Sequence, residues 1–305
     1  MNELFELQRK DLIDYINNKY EGDNDGIIET DIPSLFFYKT SSLSEFISII
    51  YEPSICLALQ GSKAVGFGDK MYGYDKNKYL LASTNVPANV RIEEASSHKP
   101  YVSLKITFTL EQIYEVLKEL EGHEPTKVKG KVEKGLFFDD MNITLLNPIS
   151  RLTKLLDSPK KNIDFMAPLI IKEILYILLS GASGDFLKQY VMEGTVTNQI
   201  VKVISEIKNN FAETLNMKEL AEKFDMSESS LYHSFKKITM LSPLQFQKKL
   251  RLEEAKQLLL NQKINVNEVA FVVGYESPSQ FSREYSRMFG LPPKAHINSL
   301  KELIA

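Results

Sequence analysis

The chain is 305 residues long, 43% hydrophobic and 25% charged, which predicts a soluble protein of two domains, each large enough to bury its own core. Its net charge of −3 does not by itself point to nucleic acid, and its single cysteine, Cys56, excludes an internal disulfide and fits a reducing compartment. The opening MNELFELQRKDLIDYI lacks the apolar stretch of a secretory signal, and the run from Leu169 to Ser180 is broken by Lys172 and Glu173, too soon to cross a membrane; a cytoplasmic protein with no membrane partner is the expectation.

Residues 2–20 predict an amphipathic helix, with Leu4, Leu7, Ile13 and Ile16 on an apolar stripe and Phe5 and Leu12 beside it. The cluster Glu21–Gly26 reads as a turn. From Ile27 to Phe108, short β-rich runs (SLFFYKT, SICLALQ, KAVGFG, GYDKNKYLLAS, ANVRIEE, YVSLKITF) are punctuated by Gly61, Gly66, Gly68, Gly73 and Pro87. Such spacing predicts an antiparallel sandwich or small barrel. A helix follows from Leu110, then a Lys/Gly-rich loop at Lys127–Gly135. Two further helices are predicted at Ile149–Leu156 and Ile163–Leu179, and a short one at Asp185–Met192. A boundary near Gly194 divides residues 1–193 from 196–305. From Val196 onward there are 15 Lys+Arg and 12 Asp+Glu, a net of +3, whereas the preceding part holds 22 and 28, a net of −6. The asymmetry points weakly toward nucleic acid.

The most informative feature is an internal repeat with a period of about 50 residues. LAEKFDMSESSLYHSFKKITMLSP (Leu220–Pro243) aligns with VAFVVGYESPSQFSREYSRMFGLPP (Val269–Pro293) after one inserted residue. Ala221 and Ala270 are small where a second helix must cross closely. Asp225 and Gly274 suit a left-handed turn. Ser227 and Ser277 are placed to cap the second helix, and Pro278 stands at its first position. The second helices direct Leu231, Phe235 and Ile238, or Phe281, Tyr285 and Met288, inward. Their outer faces are polar: Ser229, Tyr232, His233 and Lys236 in one, Ser279, Gln280, Ser282, Arg283 and Arg287 in the other. Two helix-turn-helix units result, at about 217–240 and 266–290, joined by a predicted helix of about 18 residues spanning roughly 27 Å. That length suits two recognition helices in successive major-groove segments. A plain helical bundle would account for the apolar spacing, but not for two polar faces at matched positions.

The final third resembles the DNA-binding domain of AraC/XylS-type bacterial regulators. The resemblance is carried by RLEEAKQLLL (Arg251–Leu260), Ile264-x-x-x-Glu268-Val269-Ala270, and Gly274-Tyr275-x-Ser277-x-Ser279-x-Phe281-Ser282-Arg283. It implies that Ser229, Tyr232, His233, Lys236, Ser279, Gln280, Ser282, Arg283 and Arg287 face promoter DNA. Arg283 would be a bidentate reader of guanine, with Lys236 and Arg287 on phosphates. Two positions depart from the family pattern: Met240 stands where a Gly is common, which predicts a different turn, and His296 where a Tyr is usual. The N-terminal part, in Glu52–Lys63, Gly68–Tyr74 and Tyr79–Leu81, is similar to the cupin-like sensor domain of one branch of the family. The implied fold is α+β: an N-terminal cupin-like antiparallel β-barrel with flanking helices, then an all-α tandem helix-turn-helix domain.

A cupin enzyme would need several His with a carboxylate. Outside the DNA-binding segment only His98 and His123 are present, so no metal, cofactor or catalytic residue is expected. Gly66-Phe67-Gly68 is too short to mean a phosphate loop, and Cys56 reads as a buried small hydrophobe. Phe67, Tyr72, Tyr74 and Tyr79 would suit an organic effector in the barrel, or would simply pack its core. The expectation is a DNA-binding transcriptional regulator modulated by an effector or partner. The alternative is a constitutive architectural DNA binder with a structural barrel. A homodimer and RNA polymerase are the further partners considered.

Overall fold

A computed structural model describes residues 3–21, 25–122, 134–261 and 264–304. His123, residues 22–24 of the predicted turn and most of the Lys127–Gly135 loop lie outside them. The chain opens with α1 (Glu3–Lys19) and continues through β1 (Gly26–Glu29), β2 (Leu35–Thr40), β3 (Ile47–Tyr51), β4 (Ser54–Gln60), β5 (Ser62–Phe67), β6 (Lys70–Asp75), β7 (Lys78–Ala82), β8 (Val86–Glu94) and β9 (Tyr101–Thr107). After α2 (Leu110–Glu121) come β10 (Leu136–Asp140), α3 (Ile143–Lys154), α4 (Lys160–Ser180) and α5 (Gly184–Val191). The C-terminal third is helical: α6 (Val196–Asn209), α7 (Met217–Lys223), α8 (Glu228–Thr239), α9 (Pro243–Asn261), α10 (Val266–Val272), α11 (Pro278–Phe289) and α12 (Pro293–Ile304). The fold is α+β, as expected.

The barrel is not closed. The strands form two antiparallel sheets, ordered β1-β2-β9-β4-β7-β10 and β3-β8-β5-β6, packed against each other. The side-chain period of two explains how one strand serves two layers. On β4, Cys56 and Ala58 enter the core between the sheets with Val65, Phe67 and Val90, while Ile55, Leu57 and Leu59 face the helices. A central strand covered on both faces is apolar along its length, and β4 is buried at every position but its last. The run GYDKNKYLLAS divides into two strands, because Asp75 takes the backbone N–H of Asn77 (3.0 Å) in a tight turn.

The helix α1 also buries a different stripe from the predicted one. Phe5, Leu12, Ile13 and Ile16 are buried, whereas Leu4 and Leu7 are 59% and 66% exposed. Arg9 belongs to the inward side, where its guanidinium donates to the Leu59 carbonyl and to Glu6. Among the described residues no single helix is long and apolar enough to cross a membrane.

Chain packing does not break at the proposed boundary. One apolar cluster runs from α1, α3 and α4 through Ile200, Val203 and Ile204 of α6 to Leu231, Phe235, Ile238 and Phe246. The second helix-turn-helix unit has its own cluster around Ala255, Val269, Ala270, Phe281 and Tyr285.

Candidate nucleic-acid interface

The two repeats are built by the same local chemistry. Asn216 and Asn265 cap α7 and α10 by accepting backbone N–H groups of the first turn. In each turn a backbone N–H returns to the small residue of the first helix: Met226 to Ala221 at 3.0 Å, Tyr275 to Ala270 at 2.9 Å. Asp225 and Gly274 hold the left-handed positions, with φ of 54° and 87°. Ser227 and Ser277 then cap α8 and α11 through the N–H groups of Ser230 and Gln280.

The turn after the first recognition helix does not differ, contrary to the expectation from Met240. Met240 (φ 60°) donates to the Lys236 carbonyl at 2.8 Å, as Gly290 (φ 79°) does to Ser286 at 2.9 Å. Both are left-handed C-caps. In this conformation a side chain costs roughly 1–2 kcal/mol. The Met240 side chain offsets that by packing over Gly68 at the β5–β6 turn, where a Cβ would stand 2.9 Å from its sulfur. Nearby, the Gly135 N–H donates to the Ile238 carbonyl (3.0 Å) and Lys208 to Asn85 (3.1 Å). The first unit is thus held to the sheets by its C-cap. Met240→Gly is expected to change overall stability by less than about 1 kcal/mol, because relieved backbone strain offsets lost packing. Hydrogen exchange at the Gly135 amide should accelerate at the same time. Unchanged exchange there would show that Met240 does not hold the junction.

The junction of the second unit is organised by Arg251. Its guanidinium donates to the carbonyls of Phe211 (2.7 Å), Ala212 (3.2 Å), Glu213 (2.9 Å) and Gly274 (2.7 Å). Its role is to collect orphaned carbonyls where α6 ends and α10 turns. His296 keeps the aromatic role of the residue it replaces. It stacks on Phe289 (5.1 Å, 27°) and its Nδ1 lies 3.1 Å from the Tyr285 hydroxyl. Burial, then Lys256, pushes its pKa down, which favours the uncharged ring.

The outward faces remain open. Ser229, Tyr232, His233 and Lys236 are all exposed and spaced i, i+3, i+4, i+7 along α8, one face of a helix. On α11, Ser279, Gln280, Arg283 and Arg287 are exposed and Ser282 is half-buried. Among the described residues, Lys236, Arg283 and Arg287 have no carboxylate partner. Lys223 and Lys248 instead pair with Glu206 (2.6 Å) and Glu284 (2.8 Å). Glu284, outside the sequence-derived set, also accepts from Tyr275 (3.0 Å) and Gln280 (3.3 Å). This network holds the one carboxylate of α11 against the scaffold. Lys237 on α8 likewise has no carboxylate partner among the described residues, and such cations on two capped helices suit phosphate and base-edge contacts.

A cavity of about 270 Å³ lies in the N-terminal sheets, walled by β3 and by residues of both sheets. Of the four aromatics proposed for an effector, Tyr74 lines it. The other three are corrected. Phe67 packs in the intersheet core. Tyr72 stacks on Phe138 at 4.7 Å. Tyr79 faces the helices, where its hydroxyl lies 3.1 Å from Asp139 and 3.4 Å from Ser183. Strand pairing places these residues, and a list of aromatics carries no pairing. Sequence reading missed Tyr51, Cys56 and Lys63, all cavity-lining. One signal was available: in SKAVGF, Lys63 has the parity of the buried Val65 and Phe67. Cys56 is buried and its thiol is pushed up by that burial, the state of an inert core thiol. His98 is exposed, and among the described residues no three His, Cys, Asp or Glu group to hold a metal.

Comparison with known proteins agrees with this architecture. A model of the AraC-type transcriptional regulator N-terminus matches residues 31–186, and a helix-turn-helix domain model matches 220–299. The virulence regulon transcriptional activator VirF of Shigella flexneri is 26% identical over 253 residues, covering 79% of this chain and 89% of VirF. The regulator GbdR of Pseudomonas aeruginosa is 34% identical over 103 residues, which are 34% of this chain and 28% of GbdR. The raffinose operon regulatory protein RafR of Pediococcus pentosaceus is 30% identical over 50% of this chain and 54% of its own length. The chain thus spans between about a quarter and a half of these last two relatives. The crystal structure of unsaturated fatty acid-bound ToxT from Vibrio cholerae shares the fold, with a TM-score of 0.57 at 13% identity over 87% of this chain and 93% of ToxT. The family model spans more than half of the sequence, and the chain belongs to the family of AraC-type transcriptional regulators.

Proposed function

We propose that residues 196–305 bind promoter DNA sequence-specifically and that residues 1–193 modulate this binding through a small organic effector in the sheet cavity. The observation that carries the reading is the pair of matched recognition helices whose exposed Lys236, Arg283 and Arg287 have no carboxylate partner among the described residues, while Lys223 and Lys248 are paired with Glu206 and Glu284. The 19 residues of α9 give a stiff spacer of roughly 28 Å between the units, of the order of one DNA turn. Ser229, Tyr232, His233 and Lys236 contact DNA from the first unit. Ser279, Gln280, Ser282, Arg283 and Arg287 do so from the second.

A homodimer belongs to the same proposal. Phe165, Leu169 and Tyr176 form an exposed apolar stripe on α4, at 71%, 50% and 53% exposure. In an antiparallel pair of α4 helices, Lys160 and Lys161 of each copy would meet the negative end of the other helix dipole. The test is chromatin immunoprecipitation with sequencing. Peaks at a few promoters sharing one motif are expected, with the motif paired at fixed spacing if the dimer binds. Enrichment without a shared motif would replace this reading with an architectural DNA binder. Proximity of the motif to start sites would bring RNA polymerase in as a partner.

A further inference from the structure

The two recognition helices differ at a matched pair of positions one turn apart. On α11, the Gln280 amide Nε2 donates to Glu284 Oε1 at 3.3 Å. On α8 the matched residues are Ser230 and Ser234, two short hydroxyls of which Ser234 is buried. An amide held by a carboxylate therefore belongs to the second unit alone. Glu284 is in turn fixed by the scaffold of that unit. Lys248 of α9 donates to the same Oε1 at 2.8 Å and the Tyr275 hydroxyl to Oε2 at 3.0 Å, and the Glu284 side chain is only 19% exposed. Burial opposes its ionisation, but the hydrogen bonds from Lys248, Tyr275 and Gln280 outweigh burial and hold its pKa below the ordinary carboxylate value. Tyr275 is itself buried, with the Arg251 guanidinium over its ring at 5.7 Å.

This anchoring restricts the exposed Gln280 side chain. An amide has a carbonyl end and an amino end of nearly the same shape, and its hydrogen-bond partners decide which way it points. An ionised carboxylate accepts hydrogen bonds and donates none. Beside Glu284 only the amino end of Gln280 is tolerated, since the carbonyl would face a negative oxygen. One N–H goes to Glu284, and the second N–H and the carbonyl remain for a partner. A donor beside an acceptor matches N7 and the N6 amino group of adenine in the major groove. Guanine shows two acceptors there, N7 and O6, and would repel the carbonyl.

We propose that Glu284 is a positioning residue that fixes the Gln280 amide for adenine and so sets the base preference of the second unit at one position. Lys248 offsets the charge of Glu284, so the carboxylate can stand on a recognition helix without repelling phosphates. The inference rests on the reading above in which Gln280 faces DNA.

The experiment is competition binding of the full chain to a duplex carrying the motif recovered by immunoprecipitation, with each position changed in turn to the other three base pairs. Wild type is expected to prefer A·T at one position by about tenfold to a hundredfold, as a bidentate pair provides. Gln280→Ala should erase that preference. Glu284→Ala should reduce it to about threefold or less, with the preference set by Arg283 unchanged. Glu284→Gln keeps the side-chain shape, but its amide can offer either end to Gln280. It should relax the same preference while melting close to wild type, which separates orientation from folding. Adding Glu284→Ala to Gln280→Ala should cost no further discrimination, because the one acts through the other. Full preference for A·T in both Glu284 variants, or equal weakening at every position by Glu284→Gln, would overturn the positioning role. A G·C preference at the position that Gln280→Ala affects would overturn the adenine assignment. If Gln280→Ala alters no base preference, the Gln280 contact fails and the inference falls with it. If the wild-type chain prefers no base anywhere, the proposed function itself fails.

Discussion

Gly274→Ala is expected to unfold the second helix-turn-helix unit while leaving the N-terminal sheets intact. Gly274 has a φ of +87°, and a Cβ there would lie 2.1 Å from the Ala212 carbonyl oxygen and 2.8 Å from its carbon. The obstruction is backbone, not the end of a flexible side chain, so it can be relieved only by moving the segment that follows α6. That segment is fixed by Arg251, which bonds the carbonyls of Phe211, Ala212 and Glu213 as well as that of Gly274. Left-handed strain of about 1–3 kcal/mol adds to an overpacking cost of about 1–3 kcal/mol. The sum rivals the stability of a small unit with its own core. Hydrogen exchange should show lost protection in α10 and α11, with β4 and α4 unchanged. Native protection in α10 would show that the 211–213 segment yields cheaply.

Arg283→Ala is expected to weaken binding to the cognate operator by about tenfold to a hundredfold and to relax base preference at one position, as loss of a guanine contact worth about 1–3 kcal/mol requires. Lys236→Ala should behave differently. Loss of a phosphate contact weakens all sequences together and lowers the salt slope by about one. Both side chains are exposed and, among the described residues, make no ion pair, so neither change should lower the melting temperature. Electrophoretic mobility shifts at several salt concentrations, on operator and scrambled duplexes, separate the two roles. If Arg283→Ala weakens both duplexes equally, Arg283 contacts phosphate and a different residue reads the base.

The C-terminal third was legible because its determinants are local. Caps at Ser227 and Ser277, left-handed positions at Asp225 and Gly274, and apolar spacing along α8 and α11 are each set within one or two helical turns. The repeat doubled every signal. Met240 is instructive: its backbone follows the local rule of its glycine counterpart, and the reason a side chain is tolerated there is a contact with Gly68, far away in sequence. The structural role of Arg251 was similarly hidden, since its acceptors come from two segments, residues 211–213 and Gly274, both distant from it along the chain.

The cavity was not legible to the same degree. Period-two alternation shows that Lys63 points the same way as Val65 and Phe67, but it does not say whether that direction leads to a packed core or an empty space. Which aromatics line the space depends on strand order and register, and these are set by pairings such as Tyr51 with Val86 and Lys63 with Tyr74 between residues distant along the chain. The amino-acid sequence by itself therefore determined the helix-turn-helix pair, its caps and its exposed recognition faces, because hydrogen bonds and helical periodicity act over a few residues. Tertiary structure alone decided the open two-sheet sandwich, the continuity of the core across Gly194 and the cavity that both Lys63 and Tyr51 line, because these depend on long-range pairing and on the volume left when the layers close.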